Sequence, residues 1–231
     1  MIDPSRTENQ ERINLTRACM MHVPFDGWSK QSLELAAKDC GIDEGELSRI
    51  LPRGVEEAVE IYAHLADEDM VLAFEEALSE SQTAPQGMTA KTRLLILVRL
   101  EQALPHKEVV RKTLQYLRKP SRAKLSQSLL YNTIDRIWRV AGDDSTDFSF
   151  YTKRGLLGPV YSATLLYFLA DNSGSMDNSS AFLDRRLKEI SVIPKLSKPL
   201  KKQSEFVATA IGKTFSSIAK NISQKMAKRG Y

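Results

Sequence analysis

Apolar residues recur at intervals of three and four along most of the chain, as in the run Leu125, Leu129, Ile134, Ile137 and Trp138. This spacing places the apolar side chains on one face of an α-helix. We find no convincing run in which apolar and polar residues alternate, which is the pattern of a half-buried strand. The sequence therefore predicts an all-α fold with eight to ten helices.

Proline, glycine and hydroxyl residues mark where these helices begin and end. We expect Pro24 to close the first helix and Ser29 to cap the second. Thr89 is expected to cap the helix that Pro105 stops. Ser121 is expected to cap the next helix, which Gly142 ends. The segments group into a helix-turn-helix-like unit over residues 1–65, a helical body over 66–193, a linker over 194–203 and a last helix over 204–231.

Residues 33–50 match the spacing of a helix-turn-helix. The pattern requires a small residue where the two helices approach, a glycine at the turn and three apolar residues that hold the second helix on the first. The chain has Ala37, Gly41, Ile42, Leu47 and Ile50 at these positions. With a long helical remainder after it, this part resembles the N-terminal domain of TetR-type regulators.

The second helix of this unit has the wrong charge for DNA. Its exposed positions include Asp43, Glu44 and Glu46 against the single cation Arg49. Affinity for DNA depends largely on neutralising phosphates, so these carboxylates oppose it. The sequence favours a helix-turn-helix kept as architecture, and a TetR-type regulator that binds an apolar effector stays as the alternative.

Sixteen consecutive residues, 155–170, carry no charge. The run is shorter than the roughly 20 apolar residues of a membrane-spanning helix, so we expect it inside the fold. It is either a central core helix or a wall with small residues beside bulky ones, which suits a hydrocarbon chain. The residues assigned to this wall are Leu156, Leu157, Val160, Tyr161, Leu165 and Phe168.

The basic character of the chain lies at one end. Residues 195–231 contain nine Lys or Arg and one acid, although the net charge of the whole chain is only +4. The apolar residues there fall on one face of a helix, which either packs on the body or lies in a membrane interface; we favour the membrane. The residues assigned to this contact are Phe206, Val207, Ile211, Phe215, Ile218, Ile222, Lys213 and Lys220.

Other patterns argue against several classes of protein. Two cysteines are too few for a disulfide framework, and three dispersed histidines have no metal-ligand spacing. Motifs for zinc hydrolysis, phosphate loops, nucleophilic serine and nucleotide binding are missing. We therefore predict no cofactor, no metal and no catalytic residues. The first residues lack the features of a secretory or transit peptide, so a bacterial cytoplasmic chain or a processed one is expected.

The string TIDRIWRVAGDDSTDFSFYTKRG, residues 133–155, carries a more specific signal. It resembles the signature of the ubiquinone (coenzyme Q) biosynthesis accessory proteins, a family of lipid-binding proteins with a TetR-like fold. The segments VPFDGWS and AFLDRRL and the amphipathic tail extend the resemblance over almost the whole chain.

The resemblance implies a non-catalytic homodimer whose body binds an isoprenoid lipid. Such a protein would present a quinone intermediate to the di-iron demethoxyubiquinone hydroxylase at a membrane. The expected location is peripheral, on the inner face of a bacterial inner membrane or on the matrix side in a processed eukaryotic chain. By position, the docking patch for the hydroxylase comprises Ile137, Trp138, Asp147, Phe150 and Tyr151. DNA is not expected as a partner.

Overall fold

The computed structural model describes residues 4–80, 85–146 and 148–191. Within these ranges the chain forms α-helices with short connections and has no strand, so the all-α prediction is confirmed. Two single-turn 3₁₀ helices precede the sixth and seventh α-helices. The α-helices are α1 Pro4–Asp26, α2 Lys30–Asp39, α3 Glu44–Ile50, α4 Val55–Glu80, α5 Gly87–Ala103, α6 Lys107–Leu117, α7 Ala123–Ala141, α8 Phe148–Ala170 and α9 Asp177–Ser191.

The described helices fall into two compact units. Unit 1 lies within residues 1–82 and 98–133, and unit 2 lies within residues 83–97 and 134–231. Helix α4 continues across residue 65, where the helix-turn-helix-like unit is predicted to end. The four predicted segments stay predictions.

Unit 1 is built around α1, which packs against α2, α3, α4 and α6. Leu15, Cys19 and Val23 recur at four-residue intervals and are fully buried in its core. Trp28 fills the space beyond the end of α1, and its indole N–H donates to Thr113 Oγ1 on α6 at 2.8 Å. Burial also raises the pKa of the Cys19 thiol to about 12, so this cysteine is a core residue and not a thiolate.

The helix-turn-helix positions lie where the sequence pattern requires. Ala37 and Ile50 are buried, and Ile42 and Leu47 pack against the same core. Gly41 has a φ of +69°, which is the left-handed conformation expected of the residue that ends α2. Ser29 caps α2 as predicted, because its side chain accepts from Ser32 N at 3.1 Å.

Three predicted helix boundaries are wrong. Pro24 does not close α1, which continues to Asp26 with the proline inside its last turn. The buried neighbour Val23 holds this turn in place, and Gly27, with a φ of +66°, ends the helix instead. Helix α5 begins at Gly87, so Thr89 lies in its first turn and is not its cap. Helix α7 begins at Ala123, and Ser121 lies in the 3₁₀ turn Pro120–Arg122 before it, so Ser121 is not its cap. A shift of this size is within the usual uncertainty of helix ends.

Helix α8 carries the uncharged run predicted to be buried. None of the helices in the described part of the chain is long and apolar enough to cross a membrane. Pro159 lies inside α8 and removes one backbone donor from it, so the carbonyl of Gly155 loses its helical partner. The linker 194–203 and the predicted membrane helix 204–231 lie outside the described residues.

Candidate functional site

The corner between α7 and α8 begins with a tight backbone reversal. Gly142 has a φ of +95°, and Asp143 N donates to the carbonyl of Trp138 at 2.9 Å. These features end α7 and turn the chain toward α8. Gly142 therefore has the role that its place in the sequence predicted.

A buried arginine joins the two helices at this corner. Arg154 on α8 has a side chain only 4% exposed, and its Nε donates to Asp135 Oδ1 on α7 at 2.7 Å. Its Nη1 donates to Asp143 Oδ2 in the turn at 3.3 Å and to the carbonyl of Phe150 at 3.2 Å. One guanidinium therefore ties α7, the turn and α8 together, because its planar fork donates in several directions.

Asp143 is the most buried carboxylate of this network, with a side chain 1% exposed. Burial acts to raise the pKa of Asp143, but hydrogen bonds from Lys153 and Ser145 and the charge of Lys153 outweigh it and lower that pKa overall. Lys153 Nζ donates to Asp143 Oδ1 at 2.6 Å, and Ser145 Oγ donates to the same oxygen at 2.8 Å. The charged form of Asp143 is thus the form that the corner stabilises.

This lowered pKa predicts a specific dependence of stability on pH. Asp143 releases its proton more readily in the folded state. Its contribution to the free energy of unfolding is therefore complete above the unfolded-state pKa of about 3.9, and it is lost as pH falls through the folded-state pKa. Asp143→Asn should lower the free energy of unfolding near neutral pH by about 1–3 kcal/mol, since two cations lose a charged acceptor. Between pH 6 and pH 3 the variant should lose less stability than the wild type.

Urea unfolding at several pH values measures this difference. The exposed neighbour Asp144, changed to Asn, controls for the loss of one negative charge. If the free energy of unfolding fell equally with acid in the wild type and in Asp143→Asn, Asp143 would not contribute to stability as described.

Aromatic rings cover the arginine on the outer side of the corner. The Arg154 guanidinium lies 3.3 Å from the ring centroid of Phe150, which meets the Tyr151 ring edge to face with centroids 5.1 Å apart. Lys153 Nζ lies 5.9 Å from the ring centroid of Trp138. The buried ion pairs therefore fix the positions of the rings above them.

The predicted docking residues differ in their exposure to solvent. Tyr151 is 69% exposed, and Phe150 and Trp138 are partly buried beside it. Ile137 is fully buried, so its side chain supports the corner from within. Asp147 lies outside the described residues. The corner thus presents one highly exposed aromatic ring on a rigid base.

The six predicted lipid-wall residues lie along α8. Leu157, Val160, Tyr161 and Phe168 are buried, whereas Leu156 and Leu165 are only partly so. Gly158 lies among them and is itself buried. A Cβ placed on Gly158 would meet none of the described atoms within 4 Å. The described residues outside this helix turn therefore leave space beside Gly158, a small residue in the apolar part of α8.

A groove lies elsewhere, within unit 1 between α4 and α7. Its volume is about 360 Å³, and no residue of α8 contributes to it. Polar and apolar atoms contribute about equally to its lining, and the polar part does not suit a hydrocarbon chain. The lining residues are Glu60, Ala63, His64, Asp67, Leu125, Ser128, Leu129 and Asn132.

At the base of this groove Asp67 is buried between two partners. Burial raises the pKa of Asp67, and the charge of Arg99 and the hydrogen bond from Thr133 only partly oppose this. Thr133 Oγ1 donates to Asp67 Oδ1 at 2.9 Å, and Arg99 Nη1 lies 2.8 Å from the same oxygen. This cluster is not evident from the sequence, because its members come from three helices.

The only cation of α3 is surrounded by acids. Arg49 Nη2 donates to Glu11 at 3.2 Å and lies 3.7 Å from Glu46, while its Nη1 lies 3.8 Å from Glu8. A guanidinium held in this way is not presented to a phosphate backbone. The geometry agrees with the interpretation that the helix-turn-helix is architectural.

The residues whose ion pairs hold the corner together were also not predicted from the sequence. Asp135, Asp143 and Arg154 were not among the predicted site residues, although two aspartates and a Lys–Arg pair flank the aromatic cluster in the sequence. Opposite charges on the two sides of a predicted turn were the available signal. In the described residues there is no cluster of three or more side chains that could hold a metal ion.

Comparison with known proteins adds an independent observation. Residues 123–193 match the model of the COQ9 family. Together with relatives named as ubiquinone biosynthesis protein COQ9, this match confirms the resemblance to a family of ubiquinone biosynthesis proteins. The match starts at the first residue of α7 and extends two residues past α9, so it includes the whole corner and α8.

Curated relatives match over a longer range. The chain is 28% identical over 201 residues to the mitochondrial ubiquinone biosynthesis protein COQ9 of Rattus norvegicus, which covers 86% of this chain and 64% of the relative. The human COQ9 is 27% identical with coverage of 86% and 63%, and the Xenopus tropicalis COQ9 is 30% identical with coverage of 79% and 58%. The chain therefore spans less than two thirds of the length of these relatives.

Proposed function

We propose that this chain is a non-catalytic accessory protein of ubiquinone biosynthesis. It binds an isoprenoid quinone intermediate and presents it to the di-iron demethoxyubiquinone hydroxylase at a membrane. The observation that carries the proposal is the COQ9 family match, which covers both the aromatic corner and the apolar helix behind it. The relatives named after ubiquinone biosynthesis support the same pathway.

The geometry of the corner supports docking of a protein partner. Tyr151 projects into solvent, and the buried Arg154 holds its neighbour Phe150. Exposed aromatic residues on rigid supports are frequent anchors of protein interfaces, because little side-chain entropy is lost on binding. Trp138 adds a buried indole N–H without an acceptor among the described residues, which an incoming carbonyl or carboxylate could satisfy.

The apolar part of α8 supports lipid binding. Buried bulky residues lie on both sides of Gly158 in the sequence, and the described residues leave space beside this glycine. A saturated or isoprenoid chain needs a wall of this kind, with no unpaired polar groups. The fully buried hydroxyl of Thr164 donates to the carbonyl of Val160 at 2.7 Å, so it does not oppose a hydrocarbon.

Delivery at a membrane rests on the basic segment at residues 204–231. Its apolar stripe and lysines suit an anionic bilayer surface, where each basic residue contributes on the order of 1 kcal/mol. We propose a peripheral location on the matrix side or on the inner face of a bacterial membrane, with the chain acting as a homodimer. The mitochondrial names of the relatives support the first of these two locations.

The alternative, a TetR-type regulator with an apolar effector, has less support. Its recognition helix would be α3, where Glu8, Glu11 and Glu46 already surround the single arginine. A duplex approaching this face would meet carboxylates before it met a free cation.

Binding to the hydroxylase tests the proposed function. Purified chain is titrated into labelled demethoxyubiquinone hydroxylase on vesicles, and the change in fluorescence anisotropy is measured. We expect saturable binding with a dissociation constant of about 1 µM or below, as for specific interfaces of ordinary size. No saturable binding at concentrations far above that value would contradict the proposal.

A further inference from the structure

The end of α1 carries two large apolar residues in solvent. Met21 is 72% exposed and Phe25 is 83% exposed, the two highest values among the large exposed apolar residues of the described chain. They are four residues apart on one helix and therefore lie on the same face. Arg17, one turn before Met21, is exposed on that face as well.

The neighbouring helix α6 begins a strongly basic segment. Residues 107–124 contain seven Lys or Arg and a single acid, Glu108. This second concentration of positive charge lies far from the basic end of the chain at residues 195–231. The basic residues are Lys107, Arg111, Lys112, Arg118, Lys119, Arg122 and Lys124.

Contacts place the two features side by side within unit 1. Helix α1 packs on α6, and the Trp28 indole just beyond α1 donates to Thr113 of α6 at 2.8 Å. The side chain of Lys112 comes within 4.0 Å of the position that a Cβ on Gly27 would occupy. The exposed end of α1 and the first basic residues of α6 therefore belong to one surface, which we call the α1–α6 face.

Internal contacts hold some of these cations, and others are directed to solvent. Arg111 pairs with Glu108, and Arg122 donates to the carbonyl of Tyr116 at 3.0 Å. Three further basic residues of the segment are exposed: Arg118, Lys119 and Lys124. The cations placed beside the apolar pair are Arg17 on α1 and Lys112 on α6, against one exposed acid, Asp26.

We propose that the α1–α6 face binds the surface of an anionic phospholipid bilayer. Two bulky apolar residues, exposed beside Arg17 and Lys112, match the boundary between acyl chains and negatively charged headgroups. A nucleic acid would be read by polar side chains at base edges, and neither Met21 nor Phe25 offers a hydrogen bond there. A second copy of this chain would bring the same positive charge to the contact, which disfavours it.

This contact is separate from the basic segment at 204–231 and from the hydroxylase-docking corner. The proposed function can therefore fail while this inference holds, and the reverse is also possible. A protein that meets a bilayer through two sites would bind it more firmly than through either alone.

Vesicle flotation of the full chain tests the inference. Vesicles of phosphatidylcholine with phosphatidylglycerol are compared with vesicles of phosphatidylcholine alone. Met21→Ser with Phe25→Ser should lower the partition coefficient on anionic vesicles about tenfold or more, because the inserted apolar area is lost. Lys112→Gln should lower it about fivefold on anionic vesicles and have no effect on neutral ones.

Leu72→Ser is the matched control, since Leu72 on α4 is also an exposed apolar residue, at 63%. It should leave flotation unchanged, and Phe215→Ser reports separately on the segment 204–231. Thermal melting of each variant checks that the fold is kept. Flotation that is unchanged in the Met21/Phe25 variant, or lowered as much by Leu72→Ser, would overturn the inference. A change in oligomer mass without a change in flotation would also overturn it, in favour of a contact between copies.

Discussion

Replacing Arg154 with methionine should lower the free energy of unfolding by about 3 kcal/mol or more, because a buried ion pair then loses one partner. Methionine keeps most of the side-chain volume, so the loss reports the charge and not a cavity. The carboxylates of Asp135 and Asp143 would lose the guanidinium that bridges them. Urea unfolding followed by near-ultraviolet circular dichroism measures the effect.

Arg139→Met is the matched control for this experiment. Arg139 donates to the same carboxylate, Asp135, at 2.6 Å, but its side chain is 65% exposed. Exposed pairs of this kind contribute about 1 kcal/mol or less. If the two variants destabilised the chain equally, the bridging role of Arg154 would be wrong.

Tyr151→Ala should weaken binding of the demethoxyubiquinone hydroxylase about 30-fold or more, which corresponds to a hot-spot contribution of about 2 kcal/mol. The side chain is 69% exposed, so its removal should leave the unfolding midpoint nearly unchanged. This combination of lost affinity and kept stability distinguishes a docking residue from a structural one. The titration on vesicles described above measures the affinity.

Tyr131→Ala provides the comparison. Tyr131 is a 47% exposed tyrosine on α7, away from the turn between α7 and α8. Its substitution should change the affinity by less than about twofold, as for most surface positions outside a hot spot. Equal losses for the two tyrosines would mean that the corner is not the docking surface.

The helices were predictable where local signals decide the structure. The spacing of Ile134 and Ile137 placed the buried face of α7, and Gly142 marked its end, because both depend only on near neighbours in sequence. The turn of the helix-turn-helix at Gly41 was predictable for the same reason. The family resemblance then pointed to the corner through its aromatic residues.

The parts that escaped prediction depend on contacts distant in sequence. Arg154 donates to Asp135, which is 19 residues away, and the sequence next to either residue does not specify that pair. Thr133 meets Asp67 across 66 residues in the same way. Helix α6 was missed because it follows a 3₁₀ turn at Leu104–His106 without a side-chain cap at its start. Tertiary packing, and not a start signal, stabilises this helix.

The lipid content of the protein tests the central claim most directly. The full chain is purified without detergent, extracted with organic solvent and analysed by mass spectrometry beside Gly158→Leu, whose added side chain would occupy the space on α8. We predict an isoprenoid quinone or a related lipid in near-stoichiometric amount from the wild type, and a several-fold lower amount from a folded Gly158→Leu. A lipid-free extract from the wild type, or equal lipid in both proteins, would contradict the account.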